Sequence, residues 1–137
     1  TIIVTIPLPN NGYLHAGDII IVIAACALGW KYGALVGGIG STLADVIVAP
    51  VWAPFTFVIK VLVGMLVGMG YISDKSKKYS FYVLAGIIMP VGYYLAEAIL
   101  YGNWLSPIMS VFPNEAQYLV SLIIGVLISK KLHIKKI

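Results

Sequence analysis

Apolar positions run in four long stretches, residues 19–50, 55–72, 81–101 and 116–129. Between them lie short polar or turn-forming breaks at 51–54, 73–80 and 102–115, and residues 130–137 form a basic tail. A helix that crosses a bilayer needs about 20 mostly apolar residues, so this spacing predicts helices rather than strands. The first stretch is too long for one helix. Its middle reads Gly29-Trp30-Lys31-Tyr32. Glycine favours a turn, and two aromatics flanking a lysine mark a membrane interface. The stretch therefore predicts a hairpin of two helices, 18–29 and 32–49. Residues 1–6 (TIIVTI) are apolar but far too short to span, and read as the outer end of a truncated first helix. They do not read as a signal peptide, having neither a basic start nor a small-residue cleavage site.

The lysines orient these helices. Lys75, Lys77 and Lys78 follow the helix ending at 72, and Lys130, Lys131, Lys135 and Lys136 follow the last helix. Two helices separate the clusters, so both lie on one side, which the positive-inside rule makes cytoplasmic. Tracing back through the hairpin puts Lys31 on that side too, and His15, Asp18 and Trp52 outside. The expected architecture is all-α: one transmembrane domain over residues 1–137, a bundle of six helices with the first largely missing and both termini cytoplasmic. This places the protein in the cell membrane as a multi-pass chain.

Composition agrees. The chain is 61% hydrophobic and 10% charged, with a mean hydropathy of +0.99, whereas soluble domains carry about 25% charged residues. The net charge of +4 comes from lysines at segment ends rather than on one basic face, which points away from nucleic acid. Cys26 stands alone, so no disulfide or cysteine-based metal site can form. Small residues recur at spacing four in Ala25/Gly29, Gly33/Gly37/Ser41 and Gly64/Gly68. Such spacing lets helix backbones approach closely. Pro90, in the middle of the helix at 81–101, should kink it.

Ionisable groups inside spans are costly and mark function. They are Asp45, Lys60 and Glu97, with Asp18 at a helix start. Lys60 lies eight residues beyond Trp52, roughly 12 Å inward at 1.5 Å per residue. Asp45, Glu97 and Gln117 also fall within the outer half of the bilayer, and the inner half is nearly free of polar side chains. A conducting channel would carry polar groups along its full length. This arrangement predicts a cup open to the outside. Lys60 needs an anion, expected to be Asp45, Glu97 or a ligand. Asp18 has a second reading as a helix N-cap, and so have Asn114 and Glu115 at the last helix. Trp52 and Trp104 could be interfacial belt aromatics, and Tyr94 shares a face with Glu97. The candidate binding residues are His15, Asp18, Asp45, Trp52, Thr56, Lys60, Tyr94, Glu97, Asn114 and Gln117. No catalytic, metal or cofactor site is expected. The chain carries no phosphate-binding G-x-x-x-x-G-K-[ST] loop, no H-E-x-x-H and no G-x-S-x-G.

Three segments agree in order and spacing with one family: 12–18 (GYLHAGD), 32–45 (YGALVGGIGSTLAD) and 53–60 (APFTFVIK). Together they resemble the substrate-binding (S) components of energy-coupling factor (ECF) vitamin transporters, most closely the subgroup assigned to hydroxymethylpyrimidine or pyridoxine. The resemblance covers about 10–68 in motif. Residues 81–129 match in layout and in the Asn114…Gln117 spacing. It implies a six-helix, non-enzymatic subunit that captures a small water-soluble vitamin or precursor outside the cell. It also implies a transmembrane scaffold subunit and two ATPases as partners, and a loop at 9–17 that lids the site. Two other readings stay open. One is a self-sufficient secondary transporter coupled through Asp45, Lys60 and Glu97. The other is an intramembrane aspartyl hydrolase using Asp18 and Asp45, since His15-Ala16-Gly17-Asp18 is similar to the G-x-G-D element of such proteases.

Overall fold

The computed structural model describes residues 5–7, 13–15 and 17–132, with side chains from Gly17 onward. Two short strands, β1 (Thr5–Pro7) and β2 (Tyr13–His15), pair antiparallel with Thr5 opposite His15. Everything after them is helical: α1 (Gly17–Leu28), α2 (Trp30–Leu35), a π-helical turn (Val36–Gly40), α3 (Ser41–Val48), a 3₁₀ turn (Pro50–Trp52), α4 (Ala53–Ile72), α5 (Lys75–Tyr101) and α6 (Ile108–Lys131). The 50–72, 75–101 and 108–131 segments are each long and apolar enough to cross a membrane. An all-α membrane bundle is thus what the chain forms, apart from the strand pair.

The hairpin predicted in the first apolar stretch is present. Gly29 takes φ +96°, a left-handed conformation that suits glycine, and ends α1 by donating its N–H to Ala25 O at 3.2 Å. The run then restarts at Trp30 and continues through the π-turn to Val48. Small residues bring the arms together. A Cβ on Gly33 would stand 2.6 Å from the Ala25 Cβ and 2.7 Å from the Gly64 carbonyl, so α1, α2 and α4 meet there. Gly37, in the π-turn, is as close to the Lys60 carbonyl. The spacing-four glycines therefore serve packing within this chain.

Three expectations change. Thr5–Pro7 is a strand, not the end of a helix; Pro7 and Pro9 each bias the residue before them toward extended backbone. Residues 1–4 lie outside the described residues. Five helical rods are present among the described residues (α1, the α2–α3 run, α4, α5 and α6), so the first of the six expected helices has no counterpart there. Helix α5 begins at Lys75, within the break assigned to 73–80, and α6 at Ile108, within the break at 102–115. Hydropathy marks where lipid begins, not where helix begins, and polar first turns continue a helix beyond the apolar span. Asn103 holds the approach to α6, its Oδ1 accepting from the Leu105 N–H at 2.9 Å.

The rods sort the lysines to one end. Trp30 meets Gly68 near the end of α4, the Lys78 ammonium lies 6.0 Å from the Tyr71 ring centroid, and Gly125 of α6 rests on Val22 of α1. Lys31, Lys75, Lys77, Lys78, Lys130 and Lys131 consequently share one end of the bundle. Lys135 and Lys136 lie outside the described residues. The apolar core fills the space between, built on Val22, Ala25, Ile59, Val63, Val67, Ala85 and Met89.

Candidate functional site

The buried acidic and basic side chains, Asp18, Asp45, Lys60 and Glu97, lie away from the lysine end. Trp52, Thr56 and Lys60 follow one another at spacing four, so one face of α4 and its lead-in carries all three. All are buried, and Lys60 has no exposed surface. Its Nζ donates to Asp18 Oδ2 at 2.5 Å. It also lies 3.7 Å from the Met89 sulfur and 5.7 Å from the Tyr93 ring centroid. Gln117 Nε2 donates to the same Asp18 oxygen at 2.6 Å, which ties α6 to α1 and α4 through one carboxylate. In a low-dielectric interior a charged pair persists only when its remaining donors and acceptors are used, and Gln117 supplies that support here.

This geometry corrects two expectations. Lys60 was expected to pair with Asp45, Glu97 or a ligand; its partner is Asp18. Asp18 lies in the first turn of α1, but its bond is to another helix, so it is not merely an N-cap. The sequence separation of 42 residues hides such a pair from any local pattern.

Asp45 and Thr56 extend the cluster. Asp45 is 3% exposed, with Thr56 as a hydrogen-bonding neighbour. The Thr56 hydroxyl is 3.3 Å from the Tyr93 hydroxyl. The Trp52 ring packs on Tyr93 and Tyr101, with centroids 6.1 and 6.4 Å apart. Trp52 is therefore a buried wall of the cluster rather than an interfacial belt residue. Asp18, Asp45, Trp52, Thr56, Lys60 and Gln117 thus come together around Tyr93.

Glu97 and Asn114 form a neighbouring group. The Ser110 hydroxyl donates to Glu97 Oε2 at 2.6 Å, and Asn114 Nδ2 donates to the Ser110 carbonyl at 2.9 Å. Asn114 sits inside α6, so neither it nor Glu115 caps that helix. The group adjoins the first through helical spacing, since Glu97 is one turn from Tyr93 and Asn114 one turn from Gln117. Tyr94 does not join either group. Its hydroxyl donates to the Trp104 carbonyl at 2.5 Å in an exposed contact. His15 lies in β2, which runs beside α6; its side chain is outside the described residues.

Tyr93, Met89 and Ser110 were not predicted. Tyr93 could have been, because Glu97 shares a face with residues three and four before it, and only the former, Tyr94, was chosen. Nothing in the sequence singles out Met89 or Ser110.

Among the described residues no group of three or more His, Cys, Asp or Glu side chains is placed to hold a metal. Over residues 1–134 the chain matches the family described as "ECF-type riboflavin transporter, S component". The chain belongs to that family. It is also 44% identical over 107 residues to an uncharacterized protein in the gap 3′ region of Pyrococcus woesei, a match spanning 74% of this chain and 71% of that one. As an ECF S component the protein is a transporter subunit and not an enzyme, which removes the intramembrane hydrolase reading of Asp18 and Asp45. The family's working partners are a vitamin substrate and an ECF module of scaffold and ATPases.

Proposed function

We propose that this S component captures a small water-soluble vitamin or precursor from outside the cell and delivers it through a scaffold subunit and two ATPases. The observation that carries the reading is the cluster at the lysine-poor end: buried Asp18, Asp45 and Lys60 with half-buried Gln117, against the Trp52–Tyr93 wall. The positive-inside rule puts the lysine end in the cytoplasm and hence the cluster toward the outside. A few fixed polar groups in an apolar surround give the orientation and selectivity of a small-molecule site. The contact of β2 with α6, the helix that carries Gln117, supports the reading of the neighbouring loop as a lid.

The substrate we favour is hydroxymethylpyrimidine or pyridoxine, on the resemblance of 12–18, 32–45 and 53–60 to that subgroup. Riboflavin is the second reading, favoured by the description of the matched family. Native mass spectrometry of the protein purified with its bound ligand separates them. A mass of either single-ring compound supports the first, the mass of riboflavin supports the second, and absence of any bound or added vitamin contradicts both.

A further inference from the structure

The buried face of the α2–α3 run repeats every four residues. Gly33, Gly37, Ser41 and Asp45 are all buried, while Leu35, Ile39, Leu43 and Ile47 are 54%, 50%, 59% and 68% exposed. Four is not the period of an α-helix. At about 100° per residue, a straight α-helix would carry Ser41 about 80° and Asp45 about 120° away from the Gly33 face. The π-turn at Val36–Gly40 removes that drift. It holds about one residue more than an α-turn, and so turns everything after it back by about 100°. Ser41 and Asp45 then lie about 20° to either side of Gly33, on the face that meets Ala25 of α1 and Gly64 of α4. Without the additional residue Asp45 would take the direction that Val46 has now, and Val46 is 54% exposed.

The sequence of the turn, Val36-Gly37-Gly38-Ile39-Gly40, supports this conformation. Gly37 and Gly38 answer to space: a Cβ on Gly37 would stand 2.6 Å from the Lys60 carbonyl oxygen, and one on Gly38 would run into the Val61 side chain. Gly40 is different. No atom lies within 4 Å of its Cβ position, and its φ of −62° and ψ of −47° suit any residue. Neither room nor backbone requires glycine there. Glycine is a poor α-helix former, so at this position it weakens the competing straight helix. The Thr42 hydroxyl also donates to the Gly38 carbonyl at 2.6 Å, a bond to the carbonyl four residues back that bends helices. Single π-turns inside α-helices gather at functional sites.

We propose that the π-turn is a positioning element of the binding site, given the binding role proposed above: its additional residue turns Asp45 inward, where Asp45 engages Thr56 and through it the Tyr93 side of the aromatic wall. Asp45 is 3% exposed with Thr56 as a hydrogen-bonding neighbour, and the Thr56 hydroxyl lies 3.3 Å from that of Tyr93. The turn touches no ligand itself and acts through the direction it gives to α3.

Calorimetric titration of the full chain in detergent with hydroxymethylpyrimidine, pyridoxine and riboflavin, continued with whichever the wild type binds, tests this on three variants. An alanine inserted after Gly40 turns α3 on by about 100°, sends Asp45 to the direction of Val46, and should lower affinity by about tenfold or more. The same insertion combined with Ala44→Asp and Asp45→Ala brings a carboxylate back to the inward direction and should recover affinity to within about threefold of wild type. A turn that only held the fold together would give no such recovery. Deletion of Gly40 takes out the additional residue and leaves a straight α-helix with α3 in its present direction, so affinity should also stay within about threefold of wild type. Loss of binding by the deletion variant, or its failure to fold, overturns the inference. Wild-type affinity in the simple insertion variant overturns it too, and so does a folded exchange variant that does not recover. If neither insertion variant folds, the deletion variant decides. Binding of none of the three compounds by the wild type overturns the proposed function, and this inference with it.

Discussion

Lys60→Met removes the ammonium while keeping the length and much of the volume of the side chain. In the structure it strips Asp18 of a 2.5 Å ionic bond in a site where Lys60 is wholly buried, while the Gln117 amide still donates to that oxygen. Breaking a buried pair by removing one partner costs about 3–5 kcal/mol, because the other charge is stranded. Protonation of Asp18 relieves part of this. Asp18→Asn should destabilise in the same way by stranding the ammonium. The double variant lacks both charges, so its loss should fall well short of the sum of the single losses, with a coupling energy on the order of 2–3 kcal/mol. Reversible unfolding in detergent, followed by tryptophan fluorescence, measures all three. A loss below about 1 kcal/mol for Lys60→Met, or strictly additive single losses, would refute the assignment of Asp18 as the partner that matters. Calorimetry on the same variants reads the second consequence. Lys60→Met should lower ligand affinity by about tenfold or more, because it frees the carboxylate that joins α1, α4 and α6 beneath the aromatic wall.

Other outcomes follow from the same geometry. Gly33→Ala should destabilise the bundle by about 1–3 kcal/mol, since its Cβ would stand 2.7 Å from a backbone carbonyl of α4 that cannot move aside alone; thermal stability in detergent checks it. Tyr94→Phe loses only an exposed bond to the Trp104 carbonyl, so its stability should change by about 0.5 kcal/mol or less and its ligand affinity should not change at all. A cysteine at Asn103 should react with an impermeant reagent applied outside, and one at Ser76 only after permeabilisation; external labelling at Ser76 would invert the orientation and the outward-facing cluster with it.

The class of fold was legible because lipid imposes a simple rule, a run of apolar residues for every span. The Gly29 break was legible because glycine and a flanked lysine are both local signals. Helix starts at Lys75 and Ile108 were not, since polar first turns look like loops when hydropathy is the guide. The strand at Thr5–Pro7 was misread for a related reason: apolar residues were counted, and the prolines that resist helix were not weighed. Depth along the helices put Asp45, Lys60, Glu97 and Gln117 in one half of the bilayer, and in the structure they lie in two neighbouring polar groups away from the lysine end. Pairing was less legible. Which carboxylate faces Lys60 depends on how α1 leans on α4, and nothing within a few residues of Asp18 encodes that. Tyr93 rather than Tyr94 faces the cluster because the rotation of α5 is set by its packing on α4, where Gly92 meets Ile59.

The central claim is that this chain binds a vitamin but moves it only with partners. Proteoliposomes containing the chain alone, or the chain with its scaffold and ATPase subunits, with ATP or without it in the compartment facing the ATPases, put that to the test with radiolabelled hydroxymethylpyrimidine, pyridoxine and riboflavin. Accumulation of one of the three only when partners and ATP are both present is the predicted result. Accumulation by the chain alone, driven by an ion gradient without ATP, would contradict it.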